Sequence, residues 1–189
     1  FDQNGSIEQI LTRFYDGVSY PLVLKQDLVG QIPSLRKKYL HFNQYANKTI
    51  TDIFNPAQLE RSIVLNAYTF ETSVWLNQVK GGFKKLNLPL QAQFSPVYSM
   101  LVDDFDGDKN LDILMGGNLY RAKPEAGIHD GSYGIFLRGD GRGNFDALSS
   151  KESGILIKGE IRSLKKMEYK KQRIVLVGKN NDRMEVLSY

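Results

Sequence analysis

The sequence predicts a mainly β fold, a partial β-propeller of about 2.5–3 blades with a helical insertion at residues 26–62. Three observations carry this reading. From Ile63 onward, short apolar runs alternate with joints of Gly, Asn and Asp, the pattern of strands and turns. A motif recurs: "VWLNQVKGGFKKL" (74–86) is similar to "IFLRGDGRGNFDAL" (135–148), each an apolar run, a Gly-rich polar turn, then Phe and a second run. Phe83 and Phe145 lie 62 positions apart. A period of that length built from short strands indicates blades or a related repetitive β fold. Between 26 and 62 the apolar spacing changes to that of helices.

The elements follow in order. Residues 5–24 form a hairpin, because two β-rich runs flank Asp16-Gly17, a strong two-residue turn signal. Residues 26–62 make two or three short helices. Leu35, Tyr39, Phe42 and Ala46 recur on one helical face, Ser34 can cap that helix, and Asn55-Pro56 offers a second N-cap with Pro at the first helical position. Strands are then expected at "IVLNAYTF" (63–70), "TSVWLN", "GGFKKLNL", "VYSMLV", "LDILMGG", "SYGIFLRG", "GNFDAL", "EIRSLKKME", "QRIVLVG" and "MEVLSY". The blades divide into a truncated first blade start at 1–25, a blade end at 63–90 after the insertion, and blades at 97–150 and 155–189. So few blades cannot close a ring. Either further blades lie outside this sequence or the β assembly is open and capped by its helices.

Composition excludes several functions. The 189 residues carry a net charge of +4, in short clusters: Arg36-Lys37-Lys38, Lys84-Lys85, Lys165-Lys166 and Lys170-Lys171. These read as solvated faces, and no continuous basic stripe suited to nucleic acid is visible. The chain has no Cys, which excludes disulfides, thiolate metal sites and Cys nucleophiles. No run is long and apolar enough to span a membrane, and no signal peptide is present. The chain opens on Phe1-Asp2 without Met and is read as a processed or cut fragment.

The densest chemistry is "VDDFDGDKNLDILMGGN" (102–118). Asp104, Asp106, Asp108 and Asp112 occupy positions 1, 3, 5 and 9 of a loop, with the Asn110 carbonyl at position 7. Alternate placement lets a tight turn aim several carboxylates at one centre. Ca²⁺ takes six to eight oxygens at roughly 2.3–2.6 Å, and without a cation such a cluster repels itself. An EF-hand needs Gly at position 6 and Glu at position 12. Lys109 and Met115 stand there, and the flanks read as strands. A short cation loop between two strands fits better.

This stretch resembles the calcium loop of FG-GAP (VCBS) repeats, the blades of integrin-alpha-type propellers. "FLRGDGRGNF" is similar to the family's later hairpin. The resemblance implies Asp104, Asp106, Asp108 and Asp112 as side-chain ligands of Ca²⁺ and Asn110 as a carbonyl ligand. Lys109 departs from the family's usual Gly, at a cost of about 1 kcal/mol if the position is left-handed. "FDQNGSIEQIL" (1–11) aligns with "FDGDKNLDILM" (105–115), so Asp2, Asn4 and Glu8, with the Ser6 carbonyl, form a second, truncated loop. The third copy, 159–181, lacks the acids and is a degenerate metal-free blade. The helical segment, "FSPVY", "GGNLYRAKPE" and "NNDRMEV" resemble the C-terminal part of large bacterial FG-GAP/VCBS proteins, which often carry an ASPIC/UnbV-type module and are generally exported.

Other motifs weigh less. Arg138-Gly139-Asp140 is the tip of a hairpin, where Gly and Asp serve turn geometry. "GDGRGN" lacks the Lys-Ser/Thr and helix of a phosphate loop. Asn47-Lys48-Thr49 and Asn4-Gly5-Ser6 match the glycosylation acceptor pattern. His41 lies in a helical segment. His129 sits in loop 119–132 with Tyr120, Arg121, Lys123 and Glu125, the best candidate ligand-binding surface, since functional residues gather on loops held by rigid scaffolds. With two isolated histidines no nucleophile–base arrangement can be argued. The expectation is a non-enzymatic, Ca²⁺-stabilised propeller module of an extracytoplasmic protein. Its partners are a protein or glycan and the remaining blades, with no nucleic acid and no membrane span. The alternative is a hydrolase or lyase with its site on the propeller face.

Overall fold

The computed structural model describes residues 1–2, 4–124 and 126–189. The chain divides into two compact units, Phe1–Tyr68 and Thr69–Tyr189.

The first unit begins with an irregular segment and the hairpin of β1 (Thr12–Tyr15) and β2 (Val18–Pro21). Asp16 and Gly17 both have positive φ, 48° and 78°, as a two-residue turn matched to strand twist requires. Five short helices follow: α1 (Lys25–Gln31), α2 (Leu35–Lys38), α3 (Phe42–Tyr45), α4 (Ile50–Ile53) and α5 (Pro56–Glu60). The expected Asn55 cap is formed, its Oδ1 accepting Gln58 N–H at 2.9 Å, with Pro56 at the first position. Thr49 caps α4 in the same way. Leu28, Ile32, Leu35, Tyr39, Ile53 and Phe54 form the core.

Three expectations fail in this region. Five short helices stand where two or three were expected, because each apolar run is cut after a turn or two. The face Leu35–Tyr39–Phe42–Ala46 does not belong to one helix: α2 ends at Lys38, Ser34 makes no side-chain cap, and Phe42 is exposed. Tyr39 instead turns inward and packs edge-on against Tyr45, whose hydroxyl donates to Val23 O at 2.8 Å. Residues 63–70 are not a strand. A β-prone run forms a strand only with a partner ladder. Here Ile63, Leu65, Tyr68 and Phe70 stay exposed.

The second unit holds the hairpin β3 (Ser73–Gln78)–β4 (Gly82–Asn87). A four-stranded sheet follows: β5 (Val97–Asp103), β6 (Asp112–Gly117), β7 (Ile135–Gly139) and β8 (Phe145–Leu148). After the short α6 (Ser150–Ser153) comes a three-stranded sheet, β9 (Ile161–Tyr169), β10 (Gln172–Lys179) and β11 (Glu185–Ser188). Every pairing is antiparallel, and among the described residues no barrel closes. No described helix is long and apolar enough to cross a membrane.

Strand β6 is buried along its whole length. Leu114 packs with Ile157, Ile161, Leu164, Val175 and Val177, while Ile113 and Met115 pack with Ala92, Ile135 and Leu137. Successive residues point to opposite faces of a strand, so β6 sits between two apolar layers. Its last residues, Gly116 and Gly117, allow close approach. A Cβ on Gly117 would lie 1.6 Å from Pro96 O, and one on Gly116 2.6 Å from the Ile161 side chain.

A candidate cation turn between β5 and β6

Residues 104–111 join β5 to β6 and are shaped by their own carboxylates. Asp104 accepts Gly107 N–H at 2.7 Å on Oδ1 and Lys109 N–H at 3.1 Å on Oδ2. Asp106 Oδ1 accepts Asp108 N–H at 3.1 Å, and Asp108 Oδ1 accepts Asn110 N–H at 2.7 Å. These are successive Asx turns, in which a side chain replaces a backbone acceptor two residues on. Gly107 and Lys109 take φ of 85° and 74°. The left-handed conformation anticipated at Lys109 is therefore present, in a residue that carries its strain.

The turn draws one oxygen each from Asp104, Asp106 and Asp108 to within 4.8 Å of one another. The Asn110 amide donates to Asp108 Oδ2 at 3.0 Å. The Asn110 N–H and then its side-chain amide hold the Asp108 carboxyl below its usual range. A carboxylate oxygen that accepts one N–H keeps a second lone pair, so all three can still ligate. Hard oxygen donors of this kind suit Ca²⁺ or Mg²⁺ rather than a thiophilic metal. The donor set fits a hard divalent cation.

Asp112 is not brought into that group. It is fully buried at the start of β6, with Oδ2 accepting Phe105 N–H at 3.1 Å and Oδ1 accepting Gly139 N–H at 2.9 Å. Its carboxylate ties the turn to the end of β7. The base of the turn is tied again by Asp103, whose Oδ2 accepts Lys166 Nζ and Tyr189 OH, each at 3.0 Å. Lys166 first, then the Tyr189 hydroxyl, depress the Asp103 carboxyl. Arg173 stacks over the Tyr189 ring at 4.4 Å and donates to Asp104 O at 3.0 Å.

The N-terminal loop repeats these bonds. Asn4 N–H donates to Asp2 Oδ1 at 3.1 Å and Ser6 N–H to Asn4 Oδ1 at 2.8 Å, as at Asp108 and Asn110. The Phe1 ammonium pairs with Glu8 Oε2 at 2.6 Å, where at the other turn the Phe105 backbone N–H donates to Asp112. The other oxygen differs: Glu8 Oε1 is buried and has no hydrogen-bond partner among the described residues.

The 119–132 loop is closed at its neck. Leu119 and His129 exchange backbone bonds of 2.7 and 2.9 Å. Asn118, φ 78°, donates to Ser132 O and Gly159 O and accepts Ser132 N–H and the Ser95 hydroxyl. Tyr120 N–H donates to Glu160 Oε1 at 2.7 Å. That bond first, then the Asn180 amide, depress the Glu160 carboxyl. His129 is part of the neck and Tyr120 is tied beside it, while Arg121 and Lys123 follow along the loop; Glu125 lies outside the described residues. The Arg138–Asp140 tip serves the turn, with Asp140 accepting Arg142 N–H at 2.7 Å and Asn144 N–H at 3.0 Å. His41 is exposed at the start of α3.

Sequence reasoning missed Asp103, Asn118, Glu160, Arg162 and Tyr189. Arg162 joins Asn118 O, Glu160 and the Tyr98 ring. An acid at the end of a strand and an Asn after Gly-Gly were the available signals.

The site and its setting define a class, an antiparallel β protein with a turn shaped by its own carboxylates. No family model, curated protein or solved structure matches the chain.

Proposed function

We propose that this chain is a non-enzymatic, Ca²⁺-stabilised module of an exported protein, part of an FG-GAP/VCBS-type propeller, whose loops bind a protein or glycan. The observation that carries the reading is the convergence of Asp104, Asp106 and Asp108 within 4.8 Å in the β5–β6 turn. Other features support it. β5–β8 and β9–β11 are ordered meanders, and β5 lies beside β9, with Leu164 N–H donating to Ser99 Oγ at 2.9 Å. First strands of adjacent blades stand in that relation around a propeller axis. Asn77 opposes Phe83 as Gly139 opposes Phe145, a shared register for the two similar hairpins.

A bound cation supplies the positive charge that cancels repulsion among the three carboxylates. The chain's own groups do the rest. Asp104 folds the turn back on Gly107 and Lys109, Asp108 holds Asn110, and Asp112 anchors the turn to β7. Extracellular modules hold Ca²⁺ at roughly 10⁻⁴–10⁻³ M, a range suited to an exposed three-carboxylate site. The 119–132 loop, with Tyr120, Arg121 and His129, is the surface we assign to the ligand.

The test is thermal unfolding with Ca²⁺ and with chelator. A tenfold excess over Kd gives a rise of roughly 3–6 °C, and Asp106→Ala removes it. An unchanged melting temperature in both experiments rejects structural calcium. Screening polysaccharides for turnover as well as binding separates the module from a hydrolase or lyase.

A further inference from the structure

The run "IVLNAYTF" (63–70) has the composition of a strand and no ladder. Ile63, Leu65, Tyr68 and Phe70 are each 86–89% exposed. Among the described residues, no backbone group from 63 to 69 makes a hydrogen bond with another backbone group. Unpaired main chain that carries apolar side chains is a template on which a further strand adds. The ends of the run decide which strand fits. Arg61 precedes it and Glu71 follows it, with no charge, Gly or Pro between them. Laid antiparallel on a second copy of itself about Asn66, the segment places Arg61 opposite Glu71 at both ends. Within it, Ile63 meets Thr69, Val64 meets Tyr68, Leu65 meets Ala67, and Asn66 meets itself. Opposite charges and aromatic–β-branched pairs are cross-strand pairs that stabilise a sheet.

Other self-pairings lose this match. A parallel, in-register pair sets Arg61 on Arg61 and Glu71 on Glu71, and like charges directly opposite each other destabilise. An antiparallel register slipped by two residues separates both Arg–Glu pairs. Glu71 takes Lys85 Nζ on one oxygen and the Phe70 N–H at 3.2 Å on the other. Each carboxylate oxygen has a second lone pair, so Glu71 can also accept a guanidinium. We propose that two copies of this chain associate through residues 61–71, paired as an antiparallel two-stranded ladder about a two-fold axis at Asn66. Such an interface is isologous, each copy giving and receiving the same contacts. It is also small, and a lone pair of strands is marginal, so the dimer is weak and forms as concentration rises. No cation enters it, and the inference does not require the calcium reading.

The test is sedimentation equilibrium of the full chain in chelator, up to about 1 mM because a small interface associates weakly. A monomer–dimer equilibrium is expected. Asn66→Asp and Asn66→Lys each set like charges across the two-fold axis and raise the dimer Kd at least about fivefold. Mixed in equal amounts, the two variants pair with each other and regain at least the wild-type affinity. The mixture also controls for folding, since Asn66 is exposed and both variants must keep their structure to pair. Arg61→Glu faces Glu71 only in the antiparallel register and weakens the dimer by a similar factor. A monomer at every concentration overturns the proposal. So does a dimer that the Asn66 variants leave unchanged, a mixture no tighter than its components, or an Arg61→Glu dimer as tight as the wild type. Assemblies that grow beyond two copies overturn it as well.

Discussion

Asp112→Ala separates two roles for one carboxylate. As a cation ligand Asp112 would matter only when the ion is bound. As a buried acceptor it matters always. Its two oxygens satisfy Gly139 N–H at 2.9 Å and Phe105 N–H at 3.1 Å, and the side chain has no solvent exposure. Truncation leaves both donors without a partner where water is largely excluded. Each costs about 2 kcal/mol, so the variant loses about 4 kcal/mol, a large share of the 5–15 kcal/mol that folds a typical domain. With a slope near 2 kcal/mol per molar, the urea midpoint falls by roughly 2 M. Asp112→Asn keeps one acceptor and turns an amide toward the other N–H, so it loses about half as much. The assay is urea unfolding followed by tryptophan fluorescence and circular dichroism, with Ca²⁺ and with chelator. The loss is expected in both. A loss seen only with Ca²⁺ refutes the argument and returns Asp112 to the ligand set.

Lys109→Gly relieves the strain of a left-handed Lys at φ 74° and raises stability by up to about 1 kcal/mol in chelator as well as in Ca²⁺; a fall in the urea midpoint contradicts this. Gly117→Ala places a Cβ 1.6 Å from Pro96 O; the β5–β6 pairing must shift, at about 3 kcal/mol or more, read as a lowered midpoint. Asp103→Asn loses about 1 kcal/mol at pH 7, discounted because Lys166 is 56% exposed. Since the Asp103 carboxyl is depressed in the folded chain, its stabilisation is fully present above the ordinary value of 3.8 and disappears as pH falls through the folded value. The difference between wild type and Asp103→Asn, read from midpoints across that range, therefore closes on acidification; a constant difference contradicts the ion-pair account.

What was legible in the sequence is what neighbours along the chain decide. Asp16-Gly17 specifies its turn, Asn55-Pro56 its helix start, and the alternating Asp residues their own Asx turns, because each partner lies within a few positions. Runs such as 135–139 became strands because partners on both sides supply ladders. Residues 63–70 are similarly β-prone but have no ladder, so propensity alone left them irregular and exposed. The helical spacing of Leu35, Tyr39 and Phe42 was real but shorter than the pattern implied, since Tyr39 gains more from Tyr45 and the core than from another helical turn. Asp112 looked like the fourth member of an acidic set. Its bond to Gly139, 27 residues on, is one that no local pattern reports. Asn118 and Glu160 were silent for the same reason, most of their partners lying 14 to 44 positions away.

The clamp at Asn118 has an engineering consequence. Leu119 and His129 close the loop, and Asn118 and Ser132 bind each other in both directions just below it. The bonds that close this neck are made by residues 118–120, 129 and 132. Loop closure entropy rises slowly with length, by about 0.6 kcal/mol for each doubling. A foreign sequence twice as long, grafted between Tyr120 and His129, would be displayed at little cost to the sheet. The feature that fixes one loop in place makes the position a socket for others.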